Sequence, residues 1–414
     1  MKNIAIIGAG ISALSLGQIL KENKCLNIRL FEKNSYNGGL VHCTEEDDIL
    51  FHRVGGHVFN SRIPEVLEWF WSIFDKEDFV LSSRKSKILF GNDCFIDYPI
   101  ENYIYQLGEE AGKSIVHELL TRFKNRTEEV NNFEDFLKQR FGETLYAKYF
   151  QPYNEKIWKY DLSQIPLEWL DGKLPMPDVE GIVNANLFRQ TESQMVHSSF
   201  YYPRKGGSQF IADKLSIGLS IRYNNSIETF EYKNGYWILN DEKFDKVIFT
   251  GDVRTLVDSL SDELLSIDIK QKLNLLKSNP TTNVLCELDP IALSWLYLPE
   301  RNIKPHRIIY TGNFSPYNNG TCSRITGTIE YSGYISQSDF EKEIETLPGH
   351  PKIVAYNYCP LSYVFHLEET KDIIERVRYE LSAKNFYLLG RFAEWEYYNM
   401  DTAIFAAMQL AKKI

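Results

Sequence analysis

Paired cysteines are missing from this chain. Cys25, Cys43, Cys94, Cys286, Cys322 and Cys359 are scattered with no CxxC pair and no metal-ligand spacing, which excludes a zinc module and a disulfide scaffold and predicts free thiols. Also missing is any apolar run near the roughly 20 residues that cross a bilayer. Met1-Lys2-Asn3 leads directly into a strand-like run without the apolar core of a signal peptide, so a cytoplasmic protein with no stable membrane insertion is expected. Positive charge is in deficit, 46 Lys and Arg against 56 Asp and Glu for a net of −10, which excludes a general affinity for nucleic acid and leaves room only for a local basic pocket. Repeats and low-complexity linkers are absent, so domain boundaries must come from changes of pattern. What the chain does hold in quantity is aromatic rings, 25 Tyr, 25 Phe and 7 Trp in 414 residues, a length that suits two or three domains rather than one core.

The first forty residues form one complete unit. "IAII" reads as a buried parallel strand, "GAGISA" as a glycine turn, and "ISALSLGQILKEN" as a helix with apolar residues at helical spacing. "NIRLFEKN" is a second strand ending at Glu32, where a carboxylate can accept hydrogen bonds from an adenosine ribose, with Lys33 beside it. Gly8 permits the tight turn, Gly10 lets the backbone approach a pyrophosphate, and Ala13 replaces the third glycine of the fingerprint. Ile11, Ser12 and Ala13 open the helix, whose N-terminus offers free N–H groups to an anion. A dinucleotide site is predicted.

Further along, the pattern divides. Helical periods dominate between Glu101 and about Met195, in "SIVHELLTRFKN", "NNFEDFLKQRFG" and "TLYAKYFQPYNEKIWKY". Short strand-like runs broken by Pro, Gly and Asn follow from about Thr282 to Tyr363. "YYPRKGGSQFIADKL" and "KVIFTGDVRTLVDSL" return to strand–turn–helix, and "FYLLGRFAEWEYYNMDTAIFAAMQLAKKI" closes the chain the same way. The expected class is α/β: a discontinuous Rossmann-like dinucleotide-binding domain (1–60, 204–262 and 385–414), a helical substrate domain (97–195) and an antiparallel β-sheet domain (61–96, 196–203 and 263–384).

The dinucleotide is read as FAD from resemblance. Gly38-Gly39-Leu40 sits just past the acid strand, where flavoproteins of the glutathione-reductase and amine-oxidase kind have a similar Gly-Gly. Gly55-Gly56-His57-Val58-Phe59 then resembles the UDP-galactopyranose mutases, especially their eukaryotic type. "DYPIENYI", "FQPYNEKIWKY", "FYYPRKGG", "LYLPERNIKPHRIIYTGNFSPYN" and "GRFAEWEYYNMD" follow that family's motifs in order. The resemblance implies reduced FAD, kept reduced by an external donor such as NAD(P)H, with flavin N5 attacking the anomeric carbon of a nucleotide-diphosphate sugar to interconvert pyranose and furanose forms. His57, Gly390, Arg391, Asn399 and Met400 would join the glycines at the cofactor. Arg307 falls at a diphosphate-binding arginine, whose planar fork suits phosphate. Tyr297, Tyr358 and Tyr397 fall at tyrosines that donate to the phosphates. Tyr98, Tyr149, Asn154 and Trp158 would line the base and ribose, and Asn399 would approach the sugar. His57, Arg307 and Lys173 are the expected catalytic groups.

Four positions depart from the family's pattern. Lys173 stands for a second diphosphate arginine and loses the bidentate fork. Gln151 replaces the arginine of Arg-Pro-Tyr-Asn, Glu101 replaces a glutamine, and His197 stands near an asparagine that approaches the sugar. These changes point to a different sugar or nucleotide. The alternative from the same superfamily is an FAD oxidoreductase of the amine oxidase or protoporphyrinogen oxidase type. A binding role without catalysis is a third reading, and the oligomeric state is open, with a homo-oligomer allowed.

Overall fold

Runs of aliphatic residues near both ends and the middle of the chain assemble one parallel layer. The computed structural model describes residues 1–91, 93–124, 129–167, 179–190 and 198–414. In it, the strands Phe386–Leu388, Lys246–Phe249, Lys2–Ile7, Leu26–Phe31 and Ile221–Arg222 lie side by side in that order, all parallel. Successive residues of the central strand face opposite sides, so both faces need cover. Ile4 and Ile6 pack with the helices Ile11–Leu20, Gln209–Ser216 and Met400–Ala411. Ala5 packs in a second cluster with Trp237 of an antiparallel meander and Val377 and Leu381 of the helix Thr370–Ser382.

A second sheet runs, in spatial order, through Lys352–Phe365, Lys277–Leu288, Ile325–Ser332, Arg307–Ile309, Trp295–Tyr297, Ser86–Phe90 and Cys94–Asp97. Neighbours are antiparallel except Trp295–Tyr297 on Ser86–Phe90, which is parallel. The expected antiparallel sheet is therefore mixed at one joint, because those two strands come from distant stretches and no hairpin imposes opposite directions.

Helices Glu109–Lys124, Phe133–Phe141 and Gln151–Trp158 cover one end of this sheet, burying Ile115, Leu137, Phe141 and Tyr149 against Tyr297 and Phe365. Ahead of Gln151 the helix widens at Tyr146–Phe150, where the Gln151 N–H reaches back to the Tyr146 carbonyl. Pro152, which has no N–H to continue the regular ladder, accounts for the wider turn.

Two stretches grouped by sequence pattern with the sheet domain pack elsewhere. The helix Pro64–Ile73 places Val66 and Phe70 in the dinucleotide-domain core, and Thr370–Ser382 lies against the parallel sheet. Each helix has one strongly apolar face, which the parallel layer covers. Among the described residues no helix is long and apolar enough to cross a membrane.

Candidate functional site

The glycine loop has the strained, open geometry its sequence implies. Gly8 takes φ +110°, its N–H donates to the Phe31 carbonyl at 2.7 Å, and an added Cβ would lie 2.4 Å from Thr250 Oγ1. Gly10 precedes the helix Ile11–Leu20 with no side-chain cap, and a Cβ built there meets nothing within 4 Å. Open space therefore lies in front of an uncapped helix N-terminus, as a diphosphate requires. Gly38 donates to the Ala9 carbonyl at 2.8 Å, and a Cβ on Gly39 would approach the Gly10 Cα to 3.3 Å. Gly390, from the far end of the chain, leaves just enough room for Ser12, whose Oγ would stand 2.8 Å from an added Cβ.

Glu32 is buried, and it also holds the loop itself. Its Oε2 accepts from the Ala9 N–H at 2.9 Å and its Oε1 from the Asn34 N–H at 2.9 Å. Lys33 is exposed beside it, and Leu40 is half-buried next to Gly39. Asn399 caps Met400–Ala411 without a side-chain hydrogen bond, leaving that helix N-terminus uncapped as well.

The second half of the site is a polar row across the seven-stranded sheet. Tyr297 pairs with Arg307, Arg307 with Glu330, Glu330 with Asn283, and Asn283 with Asn357. Directly opposed residues share a face, so all five side chains line one surface. The loop at Arg53–His57 docks on it: Arg53 Nη2 donates to Asn357 Oδ1 at 2.7 Å, and the Gly55 N–H to Asn283 Oδ1 at 2.9 Å. Gly55, at φ +61°, suits this close approach, since a Cβ would be strained there and crowd Glu330 Oε2 at 3.3 Å.

Glu330 is fully buried and organises the charges. Its Oε1 accepts from Arg307 Nη2 at 2.7 Å, Arg307 Nε at 3.0 Å, His306 Nε2 at 2.8 Å and the Tyr363 hydroxyl at 3.2 Å, whereas Oε2 has no partner. Burial alone would raise its pKa, but the Arg307 charge and the hydrogen bonds from His306 and Arg307 pull it down to about 2. For Arg307, burial works against the charge, but the Glu330 carboxylate together with Tyr363, Tyr153 and Tyr297 outweighs it and holds the guanidinium charged. His57 lies near both. Burial, with Arg391 and Arg307 adding to it against Glu330, pushes His57 down to about 4, so the ring is neutral, and its Nε2 is buried without a partner.

The expected tyrosines divide. Tyr297 is buried, accepts from Arg84 Nη2, and stands 4.6 Å from the Tyr98 ring and 5.5 Å from Tyr153. Tyr397 lies under the Arg391 guanidinium at 4.9 Å and stacks at 5.8 Å on Tyr363. Tyr358 does not reach the site, which corrects the expectation for it. Its neighbour Asn357 faces the polar row, so Tyr358 faces the opposite side, where it is 38% exposed and meets Tyr334 edge-on at 5.2 Å. Tyr363 lies at the polar row instead, accepting from Arg307 Nη2 at 2.8 Å. Arg391 braces this corner, donating to the Ser362 carbonyl at 3.0 Å and to the Tyr398 carbonyl.

Tyr149 is buried and stacks on Tyr153 at 5.3 Å, burial raising its pKa well above that of a free phenol. The Asn154 amide donates to the Phe150 carbonyl at 2.7 Å, and Trp158 shares a narrow gap with Tyr397 and His366. Gln151 turns to Glu155 at 2.8 Å along its own helix, and Glu101 is buried. Lys173 and His197 lie outside the described residues.

Sequence reasoning missed Glu330, Tyr363 and Arg84. Glu330 is the lone charge in "ITGTIEYS", a signal that was available, since a carboxylate inside an apolar strand needs a buried partner. Arg84 lies 4.8 Å over the Trp295 ring and 5.3 Å over Tyr98. It borders a cavity of about 280 Å³ that is also lined by Lys85, Lys87, Asp97, Tyr98 and Tyr103. This is the local basic, ring-lined pocket that the acidic composition left room for.

Residues 6–76 match the model of the NAD(P)-binding Rossmann-like domain. Over its whole length the chain is similar to the UDP-galactopyranose mutase of Mycoplasma genitalium, at 20% identity over 438 residues that cover 100% of this chain and 94% of the relative. A solved structure of reduced UDP-galactopyranose mutase superposes with a TM-score of 0.87 at 22% identity, covering 100% of this chain and 93% of that one. A protein from Exiguobacterium sp. 255-15 described as a protoporphyrinogen oxidase superposes with a TM-score of 0.77 at 16% identity, covering 100% and 98%. The resemblance read from the ordered motifs is thus borne out, and so is the α/β fold class.

Proposed function

We infer that this chain is an FAD-dependent nucleotide-sugar mutase that interconverts pyranose and furanose forms with its flavin reduced. The observation that carries the reading is the meeting of Arg307 with Tyr297, Tyr363 and Tyr397 beside the Gly55–His57 loop, a cation ringed by phenols next to a dinucleotide fold. The full-length similarity to UDP-galactopyranose mutase supports it.

The residues present fit FAD. Gly8, Gly10, Ile11, Ser12 and Ala13 would face its diphosphate across the open space at Gly10, and Glu32 with Lys33 the adenosine end. Gly38, Gly39 and Leu40 would follow its length, while Gly55, Gly56, His57, Gly390, Arg391, Asn399 and Met400 would meet the flavin end, where the unpartnered His57 Nε2 is a free acceptor. Reduced FAD held there would supply a nucleophile for the anomeric carbon without net redox change, so the reaction would need no net oxidant.

The remaining work falls to the chain. Arg307 spreads its charge over the substrate diphosphate as the glycosidic C–O bond weakens, with Glu330 fixing the plane of the guanidinium. Tyr297 and Tyr397 donate to phosphate oxygens, Tyr363, its proton turned to Glu330, accepts from Arg307 and steadies it, and Lys173 supplies a second cation. Tyr98 and Tyr149 stack on the base, and Asn154 and Trp158 border the ribose. Asn399 approaches the sugar. The departures at Gln151, Glu101, Lys173 and His197 favour a sugar or nucleotide other than UDP-galactose.

The test is anaerobic reduction followed by chromatography of UDP-, dTDP- and GDP-hexoses, with dithionite and then NAD(P)H as reductant. A ring isomer that forms only with reduced protein is expected. Hydrogen peroxide from oxidised protein with an amine or porphyrinogen, and no isomer, would overturn the reading in favour of an oxidase, the reading that the protoporphyrinogen oxidase-like neighbour favours.

A further inference from the structure

The turn that joins Tyr297 to Arg307, "LPERNIKPH", contains Pro299 and Pro305, which donate no hydrogen bonds, so its carbonyls cannot all be answered from within. Lys156 answers four of them. Its Nζ lies 2.5 Å from the Leu298 carbonyl, 2.6 Å from Ile303, 2.7 Å from Glu300 and 3.3 Å from Pro305. The preceding residue adds a second tie, Glu155 Oε2 accepting from Arg301 Nη2 at 2.7 Å. Lys156 belongs to the helix Gln151–Trp158, which also sets Tyr153 against Tyr297 and His306. One ammonium thus joins the two walls of the site.

We propose that Lys156 is a positioning residue, its ammonium serving as a built-in cation that holds the Leu298–Pro305 turn, and with it Tyr297 and Arg307, against the helical wall. The clamp works only while charged. An ammonium has three N–H donors for the three nearest carbonyls, whereas a neutral amine turns a lone pair toward one of them. Burial lowers the Lys156 pKa to about 8 against the opposing charge of Glu300. The other ionisable groups around it are largely committed, Glu155 to Arg301, Lys304 to Glu343, and His306, its pKa lowered by burial, to Glu330 by a hydrogen bond. The turn therefore loosens as pH rises from 7 to 9.

Hydrogen–deuterium exchange of the holoprotein tests the clamp, and UDP titration tests its consequence, which rests on the mutase reading. Lys156→Met is expected to speed exchange across 298–305 by about tenfold at pH 7, with the strand 277–288 unchanged. Wild-type protein should show the same loosening between pH 7 and 9 after correction for intrinsic rates, and Lys156→Arg, charged throughout, should show no such step. UDP affinity should fall in parallel, by about tenfold in Lys156→Met. Equal exchange in wild type and Lys156→Met, or a wild-type turn indifferent to pH, overturns the proposal. The wild-type pH series decides the matter even if the Met variant does not fold. Exchange that moves as expected while neither wild type nor any variant binds UDP, dTDP or GDP upholds the clamp and sinks the nucleotide-sugar reading.

Discussion

Replacing Glu330 by glutamine keeps the shape of the side chain and removes its charge from beneath Arg307. The carboxylate is fully buried and accepts four hydrogen bonds on one oxygen. Its fall from the ordinary 4.5 to about 2 in the folded protein corresponds, at 1.36 kcal/mol for each tenfold change in proton affinity, to about 3 kcal/mol of stability at neutral pH. That agrees with the roughly 3–5 kcal/mol lost when one partner of a buried ion pair is removed, although Arg307, with 21% of its side chain exposed, recovers some hydration. The sign follows from the depressed value: the stabilisation is complete above pH 4.5 and drains away as pH falls toward 2, to about half by pH 3. Urea denaturation of wild type and Glu330→Gln at pH 7, 5 and 3 reads both quantities. A difference below about 0.5 kcal/mol at pH 7, or one that does not shrink between pH 5 and 3, would refute the argument.

Other perturbations separate fold from site. Gly8→Ala should lower thermal stability and cofactor content together, because its Cβ meets Thr250 at a left-handed φ. Gly10→Ala should leave apoprotein stability within about 0.5 kcal/mol and reduce only the flavin absorbance per protein, since nothing in the chain opposes its Cβ; equal flavin retention would mean the open space is not the cofactor's. Tyr363→Phe should weaken nucleotide binding by about 1 kcal/mol through the lost hydrogen bond at Arg307, while Tyr358→Phe should do nothing, and the reverse outcome would restore the original assignment. Imidazole NMR should find His57 neutral from pH 7 down to about 4. Because the unfolded chain protonates near 6.5, this histidine costs stability as pH drops through that window, and a resonance titrating between pH 6 and 7 would disprove its burial.

Much of the glycine-loop geometry was legible because it is local. Gly8, Gly10 and Glu32 act through a turn and the strand after it, and residues so close in sequence have few ways to fold. That Arg307 and Tyr297 lie side by side, with Tyr397 stacked on Tyr363 next to Arg307, was also legible in part, the first two and Tyr397 each lying inside a motif long enough to anchor its position. The substrate end was less so. Tyr358 and Tyr363 lie on one strand where the register against its neighbour shifts between Asn279 and Thr281, and no pattern in "YNYCPLSYVF" announces which ring turns inward. A single step of register moves a side chain to the other face.

From its sequence alone the chain determined a Rossmann-like start, an α/β class and the order of its motifs, because turn glycines and apolar periods act over a few residues. Only the tertiary structure decided that Glu330 lies beneath Arg307, that Arg84 donates to Tyr297, and that Lys156 gathers the carbonyls of a turn far along the chain. Each is a charged residue whose partner no sequence pattern names. Strand pairing or helix packing brought each a partner, fully buried at Glu330 and half-buried at Arg84 and Lys156, and away from bulk water such a partner determines what the charge can do.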